Sequence, residues 1–261
     1  MKIIYCIFFV FILTSCTNND IIKDSIKDSI IDSLKTVIQT KETEINWIKN
    51  KKPSVIIENQ EASTCAINLF YPFGLKIEIV DKRPEKDGNT FLSIACAYTS
   101  KSGTIDGIFV KNGTLINKEI NKYLTGACII NNNAISIANS DIINDSLIKK
   151  VLNEKSTFFQ QTLLIKNSQL VECNLFGSSI NLRRALIKLD ENKYFVGESH
   201  RPMTIIEFQN ALKEIGAIDA VNLDMGSWSE GWYIRDNEKI SIGDNFINTK
   251  RQTNWLTFNI K

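Results

Sequence analysis

The residues best suited to chemistry lie around Asp224, where a short apolar run meets a small polar loop. Residues 217–223 predict a buried strand that carries Asn222 and ends at Asp224. The loop that follows contains Gly226, Ser227, Trp228, Ser229 and Glu230. A carboxylate fixed by a rigid strand beside a glycine-bearing loop can act on a ligand that approaches the backbone closely. An aspartate in such a loop can equally serve only to stabilise the turn.

A second group of candidates precedes residue Thr204. Glu198 and His200 follow a predicted strand, and His200 is the only histidine of the chain. Histidine is the side chain that ordinarily titrates near neutral pH, and Glu198 could supply a second acid, with Glu230 as a third carboxylate. Tyr98 and Trp228 could stack on the face of a ring-shaped ligand, or pack in the interior instead.

Composition excludes several classes of protein. The chain has 31 basic and 29 acidic residues, a formal charge of +2, which argues against an electrostatic nucleic-acid partner. No P-loop, GxSxG or HExxH motif is present. One histidine, no CxxC pair and no ligand cluster around Asp224 leave a divalent cation there without support, so we predict no metal and no cofactor.

The amino terminus predicts export and anchoring. Residues 1–15 form a short basic start, an apolar run and small residues immediately before Cys16, a layout typical of a cleaved signal and too short to span a bilayer. The ending resembles a bacterial lipoprotein signal, which implies lipidation of Cys16. We therefore expect a lipid-anchored protein of the cell envelope, on the outer membrane, periplasmic or surface-exposed. The alternative is an ordinary secretory signal.

Residues 16–52 predict the lipidated terminus and a helical stalk. Ile22, Ile26 and Ile30 recur every four residues, and the segment closes at Lys52-Pro53. We expect a helix of roughly 30 residues, about 45 Å long. It could be a simple tether, or it could support oligomerisation through residues 20–50.

Residues 53–261 predict one domain of α+β class, with a largely antiparallel or mixed sheet and a few packed helices. Its alternating runs pair into hairpins, several of them around Asn-Gly or asparagine-rich turns. Two stretches predict helices, residues 141–153 and 204–215, the second opened by a Thr204–Glu207 capping box. Four cysteines, Cys65, Cys96, Cys128 and Cys173, could pair in three ways or remain free and buried.

One block of sequence resembles a known family. Residues 220–224, Ala-Val-Asn-Leu-Asp, with Gly226 and Ser229, resemble the phosphodiester glycosidase family, whose members carry Asn-Leu-Asp followed by glycines and serines. Arg183 matches the family's arginine in a weaker upstream motif. The likeness extends over roughly residues 74–242, while Met225, Ser227 and Trp228 depart from the family's pattern.

The resemblance implies hydrolysis of a sugar-1-phosphodiester bond at the anomeric carbon. Asp224 would be the key carboxylate, acting as base, nucleophile or stabiliser of the oxocarbenium ion, and Arg183 would hold the phosphate. Arg184, on the opposite strand face, would lie near the substrate. One alternative is a catalytically altered relative that binds glycan, which the departures at Met225 and Trp228 favour. The other is a structural envelope lipoprotein.

Overall fold

A computed structural model describes residues 20–50, 52–85, 88–100, 102–173, 178–190, 193–225, 229–244 and 249–260. The contacts divide the chain between Lys52 and Pro53 into two compact units. The predicted signal segment 1–15 and the predicted lipidation site Cys16 lie outside the described residues, so both stay predictions.

The first unit contains helix α1, Asp20–Asn50, of 31 residues. At 1.5 Å per residue it extends about 46 Å, which confirms the predicted long helix. Ile26, Leu34 and Ile38 of this helix are exposed. Within the described part of the chain, no helix combines the length and the apolar character that a membrane span requires.

The second unit is built mainly of strands. Their bounds are β1 Ser54–Gln60, β2 Ile67–Phe73, β3 Lys76–Val80, β4 Thr90–Ala95, β5 Phe109–Lys111, β6 Thr114–Asn117, β7 Gly126–Asn131, β8 Ala134–Asn139, β9 Thr157–Gln161, β10 Leu163–Lys166, β11 Gln169–Leu170, β12 Arg184–Asp190, β13 Lys193–Ser199, β14 Asp219–Asn222, β15 Gly231–Arg235, β16 Glu238–Ile242 and β17 Trp255–Asn259. Helix α2 is Asp145–Asn153 and helix α3 is Ile205–Glu214.

The described strands form three sheets. The first has the order β1-β2-β13-β12-β14-β10-β11, the second β16-β15-β4-β17-β3, and the third β6-β5-β9-β7-β8. Every pairing between these strands is antiparallel. The predicted α+β class with largely antiparallel pairing is therefore confirmed.

The three sheets share one hydrophobic core. Leu186 and Val221 of the first sheet, Ile94 and Leu256 of the second, and Phe159 of the third belong to the same buried cluster. The other face of the first sheet packs on α3, and the third sheet packs on α2. Burial of apolar side chains on both faces of the first sheet fixes the ends of its central strands, where the candidate residues lie.

The hairpin turns follow the sequence closely. Asn112 and Gly113, between β5 and β6, have φ angles of 47° and 76°. Two successive left-handed residues are what a two-residue turn needs to match the twist of the strands, and asparagine and glycine adopt that conformation at low cost. The pairs β7–β8, β10–β11, β12–β13 and β15–β16 also form antiparallel hairpins as predicted.

The helices confirm one prediction and correct another. Thr204 caps α3 with both hydrogen bonds of the predicted capping box to Glu207. The predicted helix at 141–153 begins only at Asp145, because the Asn144 side chain accepts from Leu147 N and caps α2 there. The preceding residues form a short 3-10 turn, Ser140–Ile142.

The four cysteines of the second unit are free thiols. Cys65, Cys96 and Cys128 are buried, and Cys173 is half-buried. Burial raises the pKa of the Cys96 and Cys128 thiols, which keeps both protonated and unreactive. Of the alternatives that the sequence left open, the structure shows free cysteines.

Candidate active site

Asp224 lies where the first and second sheets meet. The β12–β14 register pairs Ala185 with Asn222, and Leu223 N donates to Arg184 O at 2.9 Å, one residue beyond. Asp224 N then crosses to Cys96 O, at 2.8 Å, directly after β4. The predicted strand before Asp224 is therefore confirmed, and its end is attached to a second sheet.

The Asp224 carboxyl group is almost fully buried, with 4% of its surface exposed. Its Oδ2 atom accepts a hydrogen bond from Thr99 N at 3.0 Å. Burial raises the pKa of Asp224 to about 8, against the opposing effect of backbone N–H groups of Thr99 and Met225. The group is therefore mostly protonated at neutral pH and ionises in the mildly alkaline range.

Asn222 and Tyr98 form the polar neighbourhood of this carboxyl. Asn222 Nδ2 donates to the Tyr98 hydroxyl at 2.6 Å and to Leu223 O at 2.8 Å. The Tyr98 hydroxyl donates to Thr162 Oγ1 at 3.4 Å, and burial raises the pKa of Tyr98. Asn222 Oδ1 is buried and has no hydrogen-bond partner among the described residues. An unsatisfied buried acceptor is costly unless a ligand or water completes it.

Arg183 is held by backbone groups near the start of α3. Its guanidinium donates through Nε to Met203 O at 3.0 Å and through Nη2 to both oxygens of Ser179. Burial lowers the pKa of Arg183, while the nearby Tyr98 hydroxyl partly opposes that effect. The β12–β14 register ends at the pair Ala185–Asn222, and the Arg183 guanidinium lies near the Tyr98 side chain.

Arg184 and Glu198 form a buried ion pair on the other face of the first sheet. They are directly opposite in the β12–β13 register. Arg184 donates to Glu198 Oε2 through Nε, at 2.8 Å, and through Nη2. Arg184 Nη2 also donates to Ser229 O at 3.0 Å, and Glu198 Oε1 accepts from Gly243 N at 3.2 Å. The pair therefore attaches Ser229, before β15, and Gly243, after β16, to the first sheet.

The contact between Ser229 and Gly243 tightens this arrangement. Ser229 Oγ donates to Asp244 Oδ1 at 3.1 Å. Gly243 has a φ of 85°, and a Cβ atom there would lie 1.9 Å from Ser229 O, so only glycine fits. The predicted substrate-binding residues Gly226, Ser227 and Trp228 lie outside the described residues.

The remaining predicted residues are less central. Glu230 is buried and accepts from Arg83 Nε at 3.1 Å and Nη2 at 2.5 Å. His200 is exposed in the turn after β13, and its backbone N–H donates to Ala66 O at 3.0 Å. The structure thus brings Asp224, Asn222 and Tyr98 together and leaves the His200 side chain at the surface.

Sequence reasoning missed three residues of this neighbourhood. Thr99 supplies the backbone donor to Asp224, Thr162 accepts from Tyr98, and the Cys173 thiol lies close enough to raise the pKa of Tyr98 and Arg183. Thr99 follows the buried strand β4, and Thr162 lies between the buried strands β9 and β10. A polar residue beside a buried strand is the only sequence signal that points to them. The described residues contain no group of three or more His, Cys, Asp or Glu side chains placed to hold a metal ion.

Comparison with known proteins places this fold, at the level of class, among the phosphodiester glycosidases. The chain belongs to the phosphodiester glycosidase family, whose profile matches residues 91–257. Its fold is similar to the catalytic domain of zebrafish N-acetylglucosamine-1-phosphodiester alpha-N-acetylglucosaminidase, auto-inhibited by its pro-peptide. The TM-score is 0.55 and the identity 12%, over 79% of this chain and 82% of that one. None of the curated proteins matches the chain significantly.

The buried ion pair generates a stability prediction. Glu198→Leu leaves the Arg184 charge buried without its partner, so we expect a loss of about 3–5 kcal/mol in the free energy of unfolding. Adding Arg184→Met removes that charge and should recover most of the loss. Urea unfolding of the single and double variants measures both effects, and a single variant as stable as the unaltered protein would contradict the assignment.

Proposed function

We propose that this protein hydrolyses a sugar-1-phosphodiester at its glycosidic bond, with Asp224 as the key carboxylate. The observation that carries the proposal is the buried Asp224 carboxyl, held at a strand end within the block Asn222–Ser229 of a phosphodiester glycosidase. The burial, the raised pKa and the unsatisfied Asn222 acceptor are features that cluster at functional sites.

The reaction breaks the bond between the anomeric carbon and the bridging phosphate oxygen. Water supplies the new oxygen on the sugar, the bridging oxygen leaves with the phosphate monoester, and one proton is released or retained according to pH. A phosphate monoester is a good leaving group, so one carboxylate can suffice where most glycosidases need two. In its ionised form, Asp224 would serve as base, nucleophile or stabiliser of the positive charge that develops on the sugar ring.

The phosphate needs cationic donors, and two arginines flank the strand end. Arg183 directly precedes β12 and lies near Tyr98, and its positive charge supports its role as phosphate holder. Arg184 Nη1 is a buried donor without a partner among the described residues. A guanidinium binds phosphate oxygens through several N–H groups, so we assign Arg184 Nη1 as a second donor to the substrate.

The cellular setting is a further part of the proposal. The layout of residues 1–15 before Cys16 supports a lipoprotein of the bacterial cell envelope, anchored to the outer membrane. Helix α1 would then lift the second unit from the membrane surface, and its exposed Ile26, Leu34 and Ile38 support oligomerisation through this helix.

A second candidate function is glycan binding without turnover. Met225 stands where the family carries a glycine, and a larger side chain there narrows the approach of a sugar to the backbone. A protein that binds sugar phosphodiesters and releases no sugar from them would support this alternative.

The direct test is hydrolysis in water enriched in heavy oxygen. With methyl or nitrophenyl diesters of sugar 1-phosphates, the label should enter the sugar and not the phosphate. Asp224→Asn should lower kcat/KM about 100-fold or more, because it removes the ionisable group. Asp236→Asn, in an exposed turn, is the matched control and should change little. Label in the phosphate, or full activity of Asp224→Asn, would refute the proposal.

The pH dependence follows from the buried carboxyl. Because the folded-state pKa of Asp224 is raised to about 8, the active ionised form accumulates as pH increases through that value. We expect kcat/KM to increase with pH and to level off above an apparent pKa near 8. Initial rates across the pH range measure it, and a kcat/KM that decreases through the same range would show that Asp224 acts as a proton donor.

The anchor is tested separately from the chemistry. Cys16→Ser should move the protein from the membrane fraction to the soluble fraction of cells, because the acylated thiol is lost. Cys6→Ser, within the same apolar run, is the control and should leave the protein in the membrane fraction. Equal membrane recovery of both variants would argue for a different means of attachment.

A further inference from the structure

A cleft of about 900 Å³ lies on the far side of the segment that contacts Asp224. Its walls are the end of β3, Ser100, residues 103–107, the β5–β6 hairpin, residues 119–123 and the pair Thr253 and Asn254. The volume is within the range of about 300–1,000 Å³ that is typical of small-molecule sites. None of the residues proposed above for catalysis lines this cleft.

The cleft presents large apolar side chains to solvent. Ile116, Ile120 and Tyr123 line it with 55%, 58% and 61% of their surface exposed. Single exposed apolar residues are ordinary, but three along one cleft form a patch that folding alone does not explain. The Tyr123 ring, with Lys122 Nζ 5.2 Å from its centroid, is exposed beside aliphatic side chains and offers a flat platform with a polar tip.

Hydrogen bonds hold the backbone of the cleft wall that carries this patch. The Gln160 side chain is buried, and its Oε1 accepts from Ile108 N at 3.1 Å and from Asn121 N at 2.9 Å. Asn121 Oδ1 in turn accepts from Tyr123 N at 2.8 Å. Asn117 Nδ2 donates to Ile105 O and Gly107 O, each at 2.9 Å. Backbone positions fixed in this way present the apolar side chains without an ordering cost on binding.

The charged side chains that line the cleft carry one more negative than positive charge. Three carboxylates, Asp81, Asp106 and Glu119, face two ammonium groups, Lys111 and Lys122. Asp81 and Lys111 form an ion pair at 3.2 Å. A polyanion would meet a net negative surface here and be repelled.

We propose that this cleft is a carbohydrate-binding site in which a neutral sugar ring stacks on Tyr123 beside Ile116 and Ile120. Carboxylates and hydroxyls of the lining accept and donate hydrogen bonds to the sugar hydroxyls. The site goes beyond the proposed function, because binding in the cleft requires no hydrolysis.

The cleft and Asp224 share one wall. Asn254 lines the cleft, and its Nδ2 donates to Thr99 Oγ1 at 3.2 Å. Thr99 N donates to Asp224 on the other side. The two regions are therefore separated by one shared wall of buried residues, and sugar binding in the cleft does not depend on the proposed function.

The test is binding of neutral oligosaccharides to the full chain. Short chito-, manno- and malto-oligosaccharides are titrated by calorimetry, with saturation-transfer NMR to detect weak contacts. Tyr123→Ala should weaken the binding of any that associate by about tenfold, as expected for loss of an aromatic platform. Tyr123→Phe keeps the ring and should bind like the unaltered protein. Ile120→Ser should also weaken binding.

A matched control separates the cleft from the surface in general. Ile206→Ser replaces an isoleucine of similar exposure, 59%, on α3 and outside the cleft lining, and should leave affinity unchanged. The same titrations with Asp224→Asn should show binding in the cleft even if no hydrolysis is found, so failure of the two proposals can be told apart. Absence of binding by every oligosaccharide, or equal affinity of Tyr123→Ala and the unaltered protein, overturns the inference.

Discussion

The buried ion pair between Arg184 and Glu198 is the interaction on which the candidate site depends. Two charges removed from water are stable only when they are well compensated, and here each partner also binds a backbone group outside its own hairpin. Arg184 reaches Ser229 O and Glu198 reaches Gly243 N, while Arg184 Nη1 has no partner among the described residues. These hydrogen bonds therefore attach Ser229 and Gly243, on either side of the β15–β16 hairpin, to the first sheet. The requirement for glycine at position 243 follows from the same close approach.

Desolvation determines the protonation of Asp224, the other part of the candidate site. The strand end that carries Asp224 is enclosed by a second sheet, so the carboxyl loses contact with water and its pKa increases to about 8. Backbone N–H groups offset that penalty only in part. The fold thus holds a carboxyl group whose charge changes near physiological pH, a property that an exposed aspartate does not have.

The segment from Tyr98 to Asp106 connects two regions with different surfaces. One side of this segment binds Asp224 and Asn222, and the other side begins the apolar cleft. A bridge between Thr99 and Ile105 and the hydrogen bond from Asp106 N to Tyr98 O hold the segment as a narrow hairpin. A buried carboxyl and an open cleft can then lie close together while each keeps its own solvent environment.

The sequence by itself determined the local features: helix α1, the capping box of α3, the asparagine and glycine hairpin turns, and the Asn-Leu-Asp block at the end of β14. These arise from interactions among residues a few positions apart, which leave a readable pattern. The hydrogen bonds from Arg184 to Ser229, from Gly243 to Glu198 and from Thr99 to Asp224 join residues that are 45, 45 and 125 positions apart. Such contacts depend on how the three sheets pack, and no local pattern records them, so only the tertiary structure decided which polar residues surround Asp224.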